Sequence, residues 1–206
     1  MPVIQNPLFA TLPAFQPPSE VGKSRTASKE DAALGPLPEW NLTDLYPAMD
    51  SPAYLADLAK AEAECNAFAG TYRGKLATLA AGDDASQALA AAVKRYEALE
   101  DLLGRIMSYA GLVYAGDTSN PVNAKFYGDT QEKLTAMSAE LLFFTLELNR
   151  IDDAVLDKAA KVPPLSHWRP WIEDIRKEKP YQLADEIERL LHEKSDRARR
   201  LEPALR

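Results

Sequence analysis

From Leu89 to Tyr114 the chain repeats apolar side chains at three- and four-residue spacing and meets no proline: Leu89, Ala92, Val93, Tyr96, Leu99, Leu103, Ile106, Met107, Ala110, Val113 and Tyr114. Such a set falls on one face only when the backbone is an α-helix. A stripe this long has to be covered by other helices, so it commits the chain to a helical bundle. The spacing predicts a helix from about Ala85 to Ala115, with Asp83-Asp84 as its cap. Gly104 and Gly111 lie inside it, each costing about 1 kcal/mol relative to alanine. Close helix approach would justify them, and so would a backbone exposed to a peptide ligand.

The neighbours are legible in the same way. Ser51-Pro52 supplies an N-cap hydroxyl followed by proline at the first helical position. Tyr54, Leu55, Leu58, Ala61, Cys65 and Phe68 continue the helix, and Gly70 is expected to close it. An irregular stretch punctuated by Gly74 and Gly82 follows. Gly116-Asp117-Thr118-Ser119 reads as a C-cap and turn, with Asp117 bonding nearby amides. A third helix is expected from near Pro121 to Arg150. Its run Leu141-Leu142-Phe143-Phe144-Thr145-Leu146 is apolar on every side, so that end should be surrounded. Asp152-Asp153 is expected to cap a short helix to about Lys161, ended by Pro163-Pro164. Two amphipathic helices, roughly 166–178 and 183–195, complete an all-α bundle of about six helices, two of them long. No segment alternates with a two-residue period and no internal repeat is evident.

Residues 1–37 hold six of the fifteen prolines and no sustained periodicity, which predicts a disordered leader. The helical domain is expected over 38–195, with 196–206 a separate tail.

Composition excludes several functions. The net charge of −7 leaves no concentrated basic patch for nucleic acid or an anionic membrane surface. No run approaches the ~20 apolar residues of a membrane span. The start Met1-Pro2-Val3-Ile4-Gln5-Asn6-Pro7 lacks the pattern of a signal peptide. A single cysteine, Cys65, forms no internal disulfide, and the chain reads as cytoplasmic.

Candidate chemistry is sparse. Cys65 has no basic neighbour in sequence to lower its pKa and reads as an inert helical thiol. Glu147, beside the apolar run, is expected to pair with an arginine such as Arg105 or Arg150; no second carboxylate accompanies it as an acid–base partner. His167 reads as a surface or capping group at a helix start. His192 is expected in the last turn of its helix, at the negative end of the dipole. A zinc hydrolase needs three protein ligands and an open position, and His192-Glu193-Lys194-Ser195-Asp196 has aspartate where a second histidine would stand. No catalytic, cofactor-binding or metal residue is assigned.

Four segments carry a resemblance. Trp40-Asn41-Leu42-Thr43-Asp44-Leu45-Tyr46-Pro47 is similar to a Trp-x-Leu-x-Asp-Leu-Tyr opening. Tyr109-Ala110-Gly111-Leu112-Val113-Tyr114-Ala115-Gly116-Asp117-Thr118 is similar to Tyr-Ala-x-Leu-x-Tyr-x-x-Asp-Thr. Leu142-Phe143-Phe144-Thr145-Leu146-Glu147-Leu148 matches Phe-Phe-x-x-Glu-Leu. Arg176-Lys177-Glu178-Lys179-Pro180-Tyr181-Gln182-Leu183, followed by Glu186, Glu188, Leu190 and Leu191, is similar to Pro-His-x-Leu-x-x-x-x-Glu-x-Leu-Leu, with Tyr181 where histidine is common. In this order they resemble the N-terminal region of oligoendopeptidase F, a family of zinc metallopeptidases similar to thimet oligopeptidase, over about three quarters of the chain. The resemblance implies a helical domain covering a channel for short peptides, followed in intact members by a catalytic domain with a His-Glu-x-x-His zinc site. That site is missing here, and the chain is expected to be inactive alone. The residues themselves read as structural: Trp40, Leu42, Leu45 and Tyr46 as a staple onto the helices, Asp44 as a turn residue, Tyr109 and Tyr114 as core or rim aromatics.

The resemblance stops at Ser195, where intact members continue Thr-Gly-Arg-x-Ala-Trp-Asn-Arg-Leu-Phe. Codons for Leu201-Glu202-Pro203-Ala204-Leu205-Arg206 read one base later can spell Trp-Asn-Arg-Leu-Phe: CTG GAA CCG GCT CTT C contains TGG AAC CGG CTC TTC. The preceding Asp196-Arg197-Ala198-Arg199-Arg200 can likewise give the rest. A frame shift near Ser195 is therefore expected, the alternative being a genuine arginine-rich tail. The expected partners are short peptides and the catalytic domain of the intact enzyme, with self-association possible through an exposed apolar face. The alternative function is a freestanding helical module that binds a protein or peptide.

Overall fold

A computed structural model describes residues 40–201, with side chains as far as Lys194. The expected leader, 1–37, and residues 202–206 of the expected tail lie outside the described residues. No strand forms among the described residues, and the all-α expectation holds. Seven α-helices are present among them: α1 (Pro52–Tyr72), α2 (Leu76–Ala81), α3 (Ala85–Gly116), α4 (Pro121–Arg150), α5 (Asp153–Ala160), α6 (Arg169–Arg176) and α7 (Asp185–Leu201). Single 3-10 turns, Leu165–Trp168 and Lys179–Tyr181, precede α6 and α7.

The two long helices α3 and α4 pack along each other, and α1 packs against both. Ala61, Ala92 and Ala110 are wholly buried. These small side chains let the helix backbones come close, which is where the alanine richness of the sequence is used. The core centres on Phe68 of α1, whose ring lies 5.1 Å from Phe144, 5.9 Å from Phe143 and 4.8 Å from Tyr72. Phe68 and Phe144 are fully buried, and truncating either to alanine would cost about 3–5 kcal/mol. The apolar run of α4 is enclosed as expected: Leu141, Phe143, Phe144 and Leu146 are all buried, under contacts from α1, α2, α3, α6 and α7.

Helix starts follow the sequence signals closely. Ser51 Oγ accepts the Tyr54 amide at 3.3 Å with Pro52 in the first turn. Asp152 Oδ1 accepts the amides of Ala154 and Val155 at 2.9 and 3.2 Å. Asp117 Oδ1 accepts the Ser119 amide and hydroxyl at 3.0 and 2.6 Å. Asn120, in turn, caps α4 through the Val122 amide at 2.9 Å.

Several expectations are corrected. Gly70 does not close α1: it sits within the helix, and the turn comes at Gly74. There Arg73 (φ −58°, ψ 126°) and Gly74 (φ 77°) form a type II turn, closed by the Lys75 amide on the Tyr72 carbonyl at 2.9 Å. The third residue of that turn needs positive φ, which glycine supplies without strain. The stretch read as irregular contains α2, anchored by the buried Leu76 and Ala80. Asp84 occupies the N-cap position of α3 without a side-chain bond. Trp40 is 74% exposed and staples nothing, whereas Tyr46 is fully buried and Leu42 and Leu45 pack against the core. In this opening turn Asn41, not Asp44, supplies the bonds, its Oδ1 accepting the Thr43 amide and hydroxyl. The helix expected over 166–178 is a 3-10 turn followed by α6, and α7 continues past 195 to Leu201.

Candidate functional site

Cys65 is buried beneath α3 and α4. Burial first, then the carboxylates of Glu100, Glu140 and Glu64, push its thiol up to about 12. It is held protonated and is no nucleophile at neutral pH.

Glu147 makes no salt bridge with Arg105 or Arg150, although its charge acts on the Arg150 guanidinium. Its Oε1 accepts the Gly74 amide at 2.6 Å. Arg150 pairs instead with Asp185 at the start of α7. Arg105 donates to the Leu45 carbonyl at 2.9 Å, lies 4.9 Å over the Tyr46 ring and stands 3.6 Å from Asp57. Tyr46 donates its hydroxyl to Asp57 at 2.8 Å; burial and that bond raise its pKa. The opening Trp-x-Leu-x-Asp-Leu-Tyr-like segment is thus held by Tyr46 and Arg105.

Tyr109 sits in an aromatic cluster, 5.2 Å from Tyr46, 6.0 Å from Tyr54 and 6.0 Å from Phe126. Tyr114 stacks on Tyr127 of α4 at 5.2 Å. Both rings serve interhelix packing. A Cβ added at Gly111 would meet Tyr127 at 3.9 Å, an ordinary contact. Close approach therefore does not demand glycine there.

His167 is exposed on the first 3-10 turn, edge-on to Trp168 at 4.9 Å. His192 is not in a last turn, because α7 runs on to Leu201; the dipole argument for it falls. Its Nε2 lies 2.9 Å from Ser138 Oγ on α4. The Ser138 hydroxyl also lies 3.1 Å from the Thr135 carbonyl. Among the described residues no group of three or more His, Cys, Asp or Glu is placed to hold a metal ion.

The arrangement that sets this molecule apart is the seating of α7. It lies against α4 through its polar side. Arg189 bridges Glu140 and Glu193 at 3.0 Å each, Glu140 also holds Arg73 at 2.7 Å, and Gln182 donates to the Leu146 carbonyl at 3.1 Å. Glu188, buried, folds back to accept the Leu183 amide at 2.8 Å, satisfying a free donor ahead of the helix. The apolar side therefore points outward: Ile187 and Leu190 are each 47% exposed and Leu191 41%, with Leu183 just ahead of them. An amphipathic helix on a bundle ordinarily buries this stripe. The sequence marked 183–195 as amphipathic but carried no signal for which side faces the bundle, since the groups that decide it lie on α4, 35 to 54 positions away.

Residues 147–202 match the model of the oligopeptidase F family's N-terminal domain. This segment is similar to the N-terminal domain of oligopeptidase F. It takes in the end of α4, then α5, α6 and α7, and it begins at Glu147, the residue that holds Gly74. The oligopeptidase F match contains the fourth of the resembling segments, starts at the end of the third, and leaves Trp40–Pro47 and Tyr109–Thr118 outside. It covers just over a quarter of the chain and runs seven residues past Ser195. Neither the curated proteins nor the solved structures give a match to the chain. No helix among the described residues is long and apolar enough to cross a membrane.

Proposed function

We propose that the chain is the non-catalytic, substrate-channel cover domain of an oligoendopeptidase F-like zinc metallopeptidase that hydrolyses short peptides in the cytoplasm. The observation that carries this reading is the oligopeptidase F match over 147–202, laid on a segment that ends in an outward-facing apolar helix. The residues of this chain supply helices and buried aromatics; no acid–base pair or metal ligand set is assigned to it. Short peptides and the catalytic domain are its partners in this reading.

The test is direct. The purified chain is incubated with fluorogenic unstructured peptides of five to fifteen residues, with zinc added, and its metal content is measured after dialysis. The expected result is no turnover and no stoichiometric zinc. Chelator-sensitive hydrolysis that follows the chain through successive columns would overturn the non-catalytic assignment. Restoration of peptide hydrolysis when a separately expressed His-Glu-x-x-His half is added would support the cover role; a catalytic half that is equally active without the chain would count against it.

A further inference from the structure

We propose that α7 is an arm held on the bundle by an ionic latch, so that rising salt releases it while the other helices stay folded. The inference is independent of the peptidase reading. What α7 lacks is a share in the core. Among the described residues the hydrophobic cluster that begins at Tyr46 ends at Ile172 and the adjoining Ile175, and it takes in no side chain of α7. The helix rests on α4, with Ile187, Leu190 and Leu191 about half exposed on its other side. Burial of apolar area, which fixes the other helices, therefore does little to fix this one.

The contacts that seat the arm are polar and lie near water. Arg150 of α4 pairs with Asp185, both side chains about half exposed. One turn on, Arg189 holds Glu140 at 3.0 Å, and beyond it His192 Nε2 lies 2.9 Å from Ser138 Oγ. Asp185, Arg189 and His192 follow at four- and three-residue spacing, so one face of α7 carries all three. Glu188, on the same face, bonds within the arm instead, accepting the Leu183 amide at 2.8 Å. An exposed ion pair is worth only roughly two- to fivefold in an equilibrium constant, and salt screens it. The pivot is also visible: Gln182, extended at φ −64° and ψ 129°, stays tied to the Leu146 carbonyl at 3.1 Å, and the arm begins after it. Off α4, a helix of 17 residues is marginal in water, so release shows as loss of its backbone hydrogen bonds.

The experiment is hydrogen exchange of the full 206-residue chain from ~0.1 to ~1 M sodium chloride, over which the screening length falls from about 10 Å to about 3 Å. Protection of the α7 amides at ~0.1 M is expected to lie at least ~100-fold below that of α3 and α4. By ~1 M it is expected to fall roughly fivefold further while theirs holds. Arg150→Ala is expected to lower α7 protection roughly two- to fivefold at low salt and, joined with Arg189→Ala, to remove most of the salt dependence. Both arginines are about half exposed, so the variants keep the fold, which unchanged exchange of α3 and α4 verifies. Leu190→Ala is expected to change α7 protection less than Arg150→Ala does. Protection in α7 equal to that in α4 overturns the proposal, as does a loss at ~1 M no greater than that of α4. A larger loss from Leu190→Ala than from Arg150→Ala also overturns it, because an apolar contact would then hold the arm.

Discussion

Glu147 Oε1 accepts the backbone N–H of Gly74 at 2.6 Å across 73 positions of sequence. The contact fixes the type II turn after α1 to the last turns of α4, at the residue where the oligopeptidase F match begins. A carboxylate on an amide is a charge-assisted bond, stronger than its neutral counterpart. Glu147→Ala is expected to destabilise the fold by about 1–2 kcal/mol, and Glu147→Gln by less, because the acceptor oxygen remains. Gly74→Ala is expected to cost a further ~1–2 kcal/mol from the left-handed backbone alone. Urea titrations followed by circular dichroism measure all three; an unchanged midpoint for Glu147→Ala would refute the bond's role.

Glu100 is the carboxylate that the fold disfavours as an anion. Burial raises its pKa above the ordinary 4.5, more than the hydrogen bond from Tyr96 lowers it. With the folded value above the unfolded one, the protonated form is bound more tightly in the fold. Stability from this group is complete below pH 4.5 and is lost as pH rises through the raised value. Glu100→Gln is therefore expected to melt higher than the wild type at pH 7, with the advantage shrinking toward pH 4. A difference in melting temperature that does not change with pH would be inconsistent with this account.

The attachment of α7 has the opposite pH sign. A bond from Arg150 holds the Asp185 carboxyl below its usual range, and Arg189 of α7, after Arg73, helps to hold Glu140 below its own. Their contribution is present above the ordinary carboxylate values of 4.5 and 3.8 and is lost as pH falls through the depressed folded ones. The protection factors of the α7 amides, corrected for the intrinsic slowing of exchange in acid, are expected to fall on acidification before those of α3 and α4 do. Simultaneous loss of protection in all three helices would show that α7 is not separately attached.

Cys65 offers a clean reading of global opening. With the thiol buried and held up to about 12, native-state reaction with a disulfide reagent at pH 8 is expected at least ~100-fold slower than in denaturant. The rate should follow stability across the Glu147 and Gly74 variants. Labelling as fast as that of a free thiol would place Cys65 at an accessible surface.

The parts of the fold legible in the sequence were those fixed by neighbours in sequence. Ser51, Asp117 and Asp152 bond amides two or three residues away, and the Leu141–Leu146 run needs cover on every side whatever supplies it. What escaped was decided at a distance or by a small margin. Gly70 costs a helix only about 1 kcal/mol, which packing readily overrides, so the glycine that ends α1 is the one whose turn needs positive φ. Trp40 is as apolar as Tyr46, yet only Tyr46 finds Asp57 and Arg105. Glu147 looked like half of an ion pair because local charge is visible in a sequence and a free amide 73 residues away is not. The direction of α7 follows from Glu140, Ser138 and Arg150, none of which is marked by the periodicity of α7 itself.

The three indoles of this chain sit in three different surroundings. Trp40 is open to water, Trp168 donates its ring N–H to Glu97 at 3.3 Å, and Trp171 packs 5.9 Å from Tyr96, itself stacked on Phe144 at 4.8 Å. Light absorbed by the tyrosines around Phe68 and Phe144 thus has an acceptor at the edge of the core, while the emission of Trp40 stays indifferent to what the helices do. The intrinsic fluorescence of the protein is in this way shared among a solvent-exposed lamp ahead of the helices, an indole held on Glu97 and a gauge of how tightly α6 is seated.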